Sequence, residues 1–145
     1  MEKEIFSARK KRGERRMRKE YIICILVILI IVIADIITQN YTKKSVEDID
    51  SELEILKEEL SKEEVDKEKL KMQMEDVMEK WREKYEKLAY YIEHDELEKV
   101  ETAIVEMKSY IETDFFPDAI AKLEEGKFVL KHIQEKNSFN LKNIF

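Results

Sequence analysis

Residues 21–38, YIICILVILIIVIADIIT, constrain this chain more than any other part of its sequence. Asp35 is the only charged residue in this run, and it lies about one helical turn from the end. Eighteen residues rise about 27 Å as an α-helix, close to the bilayer hydrocarbon thickness of about 30 Å. The run therefore predicts a transmembrane helix, with Tyr21 and Tyr41 as interfacial anchors and Asp35 near the far interface, where a carboxylate costs less than at the centre.

The charges on the two sides of this run are unequal. Residues 1–20 carry nine Lys or Arg and four Glu, whereas the remaining residues carry 18 basic and 29 acidic groups. An excess of Lys and Arg before a span retains that end in the cytoplasm. The sequence therefore predicts a single-pass protein of the cell membrane, with a cytoplasmic arm (1–20), a transmembrane helix (21–38) and an extracytoplasmic domain (39–145).

A cleaved signal peptide is the alternative interpretation of the apolar run. Ala34 provides a small residue at a cleavage position, but apolar residues resume at Ile36 and Ile37, and no polar region precedes the cut. An uncleaved anchor is favoured, which makes the lipid bilayer the first expected partner. The basic arm suits anionic headgroups, and because no aromatic residues interleave with its charges, nucleic acid is not an expected partner.

The rest of the chain has the composition of a helical protein. Charged residues make up 41% of it, and there are only two Gly and one Pro. Apolar residues recur every three or four positions in four seams, which predict an all-α fold: an antiparallel bundle of about four helices, coiled-coil-like in its first part, at about 45–60, 62–93, 96–112 and 117–136. The seams are Val46, Ile49, Leu53, Leu56 and Leu60; Leu70, Met74, Val77, Trp81, Leu88 and Ile92; Leu97, Val100, Ile104, Met107 and Ile111; and Ile120, Leu123, Leu130 and Ile133.

Local signals set the expected helix ends. Ser61 and Glu64 have the spacing of a capping box, which predicts that the second helix begins there. One continuous coiled coil from 45 to 92 is the alternative, because the heptad phase survives the gap. Pro117 suits the first turn of the fourth helix, and Gly126 within that helix is tolerable if a neighbouring helix packs closely against it.

Antiparallel packing brings the ends of the second and fourth helices, and the C-terminal tail, to the membrane-proximal end. The tail holds four apolar residues on an otherwise polar segment, which suit either docking onto the bundle or contact with lipid or a membrane partner. These residues are Phe139, Leu141, Ile144 and Phe145.

The same layout places His94 and His132 about one helical turn apart, so a metal site formed by these two residues and nearby carboxylates is conceivable. Metal sites in helical bundles use a Glu three residues before the His, and neither histidine has one. A structural interpretation explains more: Asp95 and Glu98 form a capping box for the third helix, and His94 lies in the last turn of the second. We therefore predict no catalytic residue, no cofactor and no metal. If a metal does bind, His94 and His132 are its candidate ligands.

Several motifs resemble a known family. Trp81 and Tyr85 are followed by YIEHDELEKVE, which contains His94 and Glu96, and then by VLKHIQEKNSFNLKNIF, which contains His132 and Asn143. In these motifs, over residues 80–145, the chain resembles the domain of unknown function 4363 family, small single-pass membrane proteins of Gram-positive bacteria. The resemblance implies architecture and location, and an accessory role beside a multi-pass membrane protein, but no activity.

Together these features predict a membrane-anchored helical interaction module or accessory subunit on the outer face of the membrane, and not an enzyme. Its expected partners beyond lipid are a multi-pass membrane protein or a second copy that associates through the helices. The alternatives are an extracytoplasmic sensory bundle for a small ligand or metal, and a cell-division-type coiled-coil scaffold.

Overall fold

The fold is all-α. The computed structural model describes the backbone of residues 2–138 and the side chains of residues 19–138, and within this part the regular structure consists of four helices and no strand. The helices are α1 (Glu2–Leu60), α2 (Lys67–Leu88), α3 (His94–Glu112) and α4 (Phe116–Asn137). The predicted fold class is confirmed.

Helix α1 runs through two compact units, Met1–Ile37 and Thr38–Phe145. The sequence predicts one helix for the apolar run and another from about residue 45, but the structure has a single helix over both. The intervening residues 39–45 contain neither Gly nor Pro, so nothing in them interrupts a helix.

The apolar run is exposed on every side within the first unit. Its large apolar side chains from Tyr21 to Ile37 are between 48% and 68% exposed. Among the described residues, Lys19–Leu60 is the one helix that is long and apolar enough to cross a membrane. A helix that is apolar all round requires an apolar environment.

Ion pairs define how the helices of the second unit are arranged. Within the part of α1 that belongs to this unit, residues 38–60, the first half pairs with the end of α2 and the second half pairs with the first half of α4. The beginning of α2 pairs with a residue just after α3, and the first half of α4 pairs with the second half of α3. Helix α1 is therefore antiparallel to α2 and α4, and α3 is likewise antiparallel to α2 and α4. The pairs, each with 2.6 Å between nitrogen and oxygen, are Lys84 with Asp48, Lys57 with Glu124, Lys67 with Asp114, and Lys122 with Glu106.

The four seams meet in one core, as their spacing predicts. The largest fully buried side chains come from every helix. They are Ile49, Leu53, Leu56, Leu70, Leu88, Leu97, Met107, Leu123, Leu130, Ile133, Val77 and Val100.

Helices α3 and α4 pack more closely than any other pair of helices. Gly126 of α4 is buried against α3, and a Cβ atom added there would lie 3.5 Å from the Cβ atom of Ala103. Ala119 of α4 is also fully buried. The small residues allow the two helices to approach closely. Gly126 therefore has the closely packed neighbouring helix that makes a glycine tolerable within α4.

The segment between α1 and α2 differs from both sequence-based predictions. Residues 61–66 are not helical, so the continuous coiled coil over 45–92 is wrong. The capping box at Ser61 and Glu64 is also wrong: the Ser61 hydroxyl donates to the Lys57 carbonyl oxygen at 2.8 Å, which ends α1. Asp66 caps α2 instead, because its carboxylate accepts from the Lys69 amide at 3.1 Å.

Candidate functional site

The turn between α2 and α3, residues 89–93, is tied to α1 immediately after the apolar run. The Tyr91 hydroxyl is hydrogen-bonded to Thr42 Oγ1 at 3.2 Å and donates to the Thr38 carbonyl oxygen at 3.5 Å. Thr42 is 1% exposed, and its hydroxyl also donates to the Thr38 carbonyl oxygen at 2.9 Å. We call residues 38–42 together with this turn the bundle base.

Two further tyrosines lie at the bundle base. The Lys87 ammonium group lies 5.9 Å from the centre of the Tyr41 ring, within range of a cation–π contact. Tyr90 is 89% exposed, the most exposed large hydrophobic side chain in the described part of the chain. Tyr91, by contrast, is partly buried, and this burial raises the pKa of its hydroxyl.

The C-terminal end of α4 reaches the same place. Lys136 Nζ lies 2.8 Å from a Glu93 carboxylate oxygen and 3.6 Å from a Glu96 carboxylate oxygen. The hydrogen bond from Lys136 lowers the pKa of Glu93. The ends of α2 and α4 and the beginning of α3 therefore meet at the bundle base.

His94 is the first residue of α3, so its predicted place in the last turn of the preceding helix is wrong. Helix α2 ends at Leu88, and the turn that follows places Tyr91 in contact with α1. The predicted capping box of Asp95 and Glu98 is also wrong, since the N-cap is Glu93 and it makes no side-chain capping hydrogen bond.

Three residues of the recognised motifs form a row along α2 and α3. The Trp81 and Tyr85 rings are 5.9 Å apart at 77°, and the Tyr85 and His94 rings are 5.9 Å apart at 73°, both edge-to-face arrangements. The Tyr85 hydroxyl lies 3.1 Å from His94 Nδ1, and His94 Nε2 lies 3.1 Å from Glu98 Oε1. The row fixes the beginning of α3 against α2.

A groove of about 260 Å³ runs beside this row between α2 and α3. Trp81 is 4% exposed, and its indole nitrogen has no hydrogen-bond partner among the described residues. Val105 of α3, on the rim, is 53% exposed. The groove therefore combines apolar and aromatic side chains, which the bundle itself leaves partly uncovered, with three charged ones. It is lined by Met78, Trp81, Arg82, Tyr85, Glu86, Glu101, Ile104 and Val105.

The structure does not assemble the candidate metal ligands. His132 is exposed on α4, and within the described side chains no hydrogen bond or ion pair links it to His94. Over residues 19–138 there is no group of three or more His, Cys, Asp or Glu side chains that could hold a metal ion. Glu96, from the recognised motif, instead pairs with Lys136 and Lys99.

The remaining sequence-predicted residues lie as follows. Tyr21 and Asp35 are exposed in the first unit, and their anchoring role stays a prediction. Asn143 and the apolar tail residues lie outside the described residues. The sequence-based interpretation missed Thr42, Tyr90 and Tyr91; the signal available was a pair of consecutive tyrosines directly before the acidic start of α3.

A family model described as domain of unknown function (DUF4363) matches residues 36–144. The match starts two residues before the end of the apolar run and includes all of α2, α3 and α4. No curated protein and no solved structure matches the chain.

Proposed function

The chain belongs to the family of domain of unknown function 4363, and from this premise we propose that it is a membrane-anchored helical interaction module. It acts as an accessory subunit on the outer face of the cytoplasmic membrane and catalyses no reaction. The observation that carries the proposal is that one helix, α1, contains both the candidate span and the first core seam of the bundle.

The membrane part of the proposal is supported by exposure. The apolar side chains from Tyr21 to Ile37 find no cover within their own unit. Leaving an isoleucine or leucine in water instead of burying it costs about 1.5–3 kcal/mol per side chain. A bilayer of matching thickness removes this cost, because a run of this length is close to what the hydrocarbon core requires.

The orientation is supported by the charge asymmetry. Nine Lys or Arg precede the run, and the bundle beyond it is acidic. The basic arm then stays in the cytoplasm, and the bundle lies on the outer face.

The interaction part of the proposal is supported by the groove between α2 and α3. Five of its eight lining residues are apolar or aromatic, with Trp81 buried and Val105 exposed, and the other three are charged. Apolar and aromatic groups at a recessed surface are typical of the centre of protein interfaces. A helix of a multi-pass membrane protein, or of a second copy of this chain, fits such a groove between helices.

Photo-crosslinking in native membranes tests this proposal. A photoreactive amino acid replaces Val105 in the groove, and as a matched control it replaces Met72, an exposed apolar residue of α2 outside the lining of this groove. We expect one recurring membrane-protein adduct, or an adduct of twice the chain's mass, from position 105 and none from position 72.

Two results would contradict the proposal. If position 105 gives no adduct beyond the background at position 72, the groove is not an interface. If the chain leaves the membrane fraction in an alkaline carbonate wash, it is not an anchored protein.

A further inference from the structure

We propose that the bundle base is a lipid-contact surface, which holds Tyr41, Tyr90 and Tyr91 in the headgroup region of the bilayer. The proposal rests on the membrane anchoring proposed above and goes beyond it. Anchoring concerns the apolar run alone, whereas this inference assigns lipid contact to a turn that lies more than fifty residues further along the chain.

The length of the span sets the depth of the bundle base. The eighteen residues 21–38 rise about 27 Å as a helix, close to a typical hydrocarbon core of about 30 Å. The bilayer thins slightly or the residues that flank the run enter the interface to absorb the small difference. Residues 38–41, where the run ends and α1 continues, therefore fall at the level of the headgroups.

Hydrogen bonds bring the α2–α3 turn to the same level. The Tyr91 hydroxyl lies 3.5 Å from the carbonyl oxygen of Thr38, and Thr38 is the last residue of the apolar run. Headgroups occupy roughly 5–8 Å on each side of the hydrocarbon core. Covalent connection to Ile37 and the contact with Thr38 thus keep Tyr91 within reach of this layer, with Tyr90 as its neighbour.

The exposure of Tyr90 fits this environment. Its side chain is 89% exposed, although its ring is apolar. Tyrosine combines an apolar ring with a hydroxyl group, and for this reason it concentrates where hydrocarbon meets water. In the headgroup layer the ring of Tyr90 has an apolar contact that the bundle does not provide.

The charges at the bundle base suit a zwitterionic surface. Lys43 is 3.8 Å from Glu47, Lys136 pairs with Glu93, and Lys87 lies over the Tyr41 ring. Basic and acidic groups alternate here, so contact does not depend on anionic lipid. Long lysine side chains reach from such a position into the aqueous part of the interface.

Depth-dependent quenching in vesicles of phosphatidylcholine tests the proposal with the full chain. Tyr90→Cys carries an environment-sensitive fluorophore in a chain with Cys24→Ala, so that one thiol is labelled. Phe115→Cys is the matched control, because Phe115 is also an exposed aromatic residue in a turn, 59% exposed, between α3 and α4. The nineteen residues of α3 separate the two turns by about 28 Å.

We expect lipids that carry a nitroxide near the headgroup to quench the fluorophore at position 90 and to leave the one at position 115 unchanged. The otherwise unsubstituted chain, labelled at Cys24 within the apolar run, reports insertion in a parallel sample. Circular dichroism confirms that both variants keep their helices.

The remaining outcomes separate this inference from the proposed function. If Cys24 is quenched while positions 90 and 115 respond equally, the bundle base does not contact lipid, although the anchoring stands. If Cys24 is not quenched and the chain does not float with the vesicles, both proposals are wrong.

Discussion

The two parts of α1 have the same backbone conformation and opposite environments. From Tyr21 to Ile37 every side chain except Asp35 is uncharged, and the large apolar ones lie on all faces and are exposed within their unit. From Val46 to Leu60 one face carries five apolar residues and is buried, and Ile55 is the one exposed apolar side chain. Helical hydrogen bonds form in both parts, so the side-chain pattern alone decides whether the apolar surface is buried by other helices or, under the proposed anchoring, is left to face lipid.

The difference shows where the bundle obtains its stability. Leu56 is fully buried, whereas Leu29 is 51% exposed. Substitutions in the second part should therefore act on folding of the bundle, and equal substitutions in the first part should not.

Leu56→Ala should destabilise the bundle by about 2–5 kcal/mol, the cost of removing a buried leucine side chain and leaving a cavity. Leu29→Ala is the matched control, because it removes the same atoms from the same helix at a position that is half exposed and outside the bundle core. Chemical unfolding in detergent micelles, followed through the fluorescence of Trp81, measures both. Equal losses of stability would contradict the distinction between the two parts of α1.

Glu59 near the end of α1 should make stability depend on pH. Its side chain is 2% exposed, and Lys62 and Lys69 lie 2.8 Å and 2.7 Å from one carboxylate oxygen. Hydrogen bonds from these two lysines lower its pKa from 4.5 to about 2. Because the folded-state pKa is lowered, this contribution is complete above pH 4.5 and is lost as the pH falls towards 2.

Melting temperatures at a series of pH values measure this effect. Glu59→Gln should be less stable than the unsubstituted chain near neutral pH, and the difference should shrink between pH 4.5 and 2. A difference that stays constant over this range would show that the carboxylate charge contributes nothing. Glu63→Gln, in the exposed segment that follows α1, is the control and should have little effect.

Gly126→Ala should stabilise the bundle by about 0.5–1 kcal/mol, since alanine favours a helix more than glycine does. The added Cβ atom would be 3.5 Å from that of Ala103, an ordinary contact, so the packing permits the change. Gly126→Leu should instead cost about 1–3 kcal/mol by overpacking between α3 and α4. Thermal unfolding compares the two, and a destabilising alanine would contradict the packing described for these helices.

Tyr91→Phe should cost about 0.5–1.5 kcal/mol, the net contribution of a hydrogen bond between hydroxyl groups. The value should fall at the low end, because Thr42 still donates to the Thr38 carbonyl oxygen. Tyr110→Phe, in α3 towards the opposite end of the bundle, is the control for removing a hydroxyl. Hydrogen exchange of the amides in residues 38–42 should increase in the first variant only; an equal response would show that the hydroxyl does not tie the bundle base to α1.

The core could be predicted from the sequence because a helical repeat is a local property. Every residue of the first three predicted seams is buried, and in the fourth only Ile120 is partly exposed. The ends of the helices could not be predicted as well. Ser61 is a residue type that often caps helices. The ion pair of the buried Glu59 with Lys62 and the packing of Val65 against the core instead leave Asp66 as the cap of α2.

The candidate site was predicted only in part, because its contacts join residues that are distant in the sequence. Antiparallel packing correctly brings the end of α4 to the α2–α3 turn, where Lys136 meets Glu93. The contacts of Tyr91 with Thr42 and of Tyr85 with His94 join residues that are 49 and 9 positions apart. Such contacts depend on the register of two helices, which side-chain periodicity does not fix to within one residue.

Cysteine accessibility along α1 tests the central claim most directly, that one helix is both the span and the first core helix. Single cysteines from residue 22 to 58, in a chain with Cys24→Ala, are treated with a water-soluble maleimide in intact membranes. We predict no labelling from 22 to 34, then labelling with a helical period in the bundle, with Lys44, Glu47 and Ser51 reactive and Ile49 and Leu53 protected. Labelling with a helical period that already begins before residue 34, or uniform labelling after residue 43, would contradict the account.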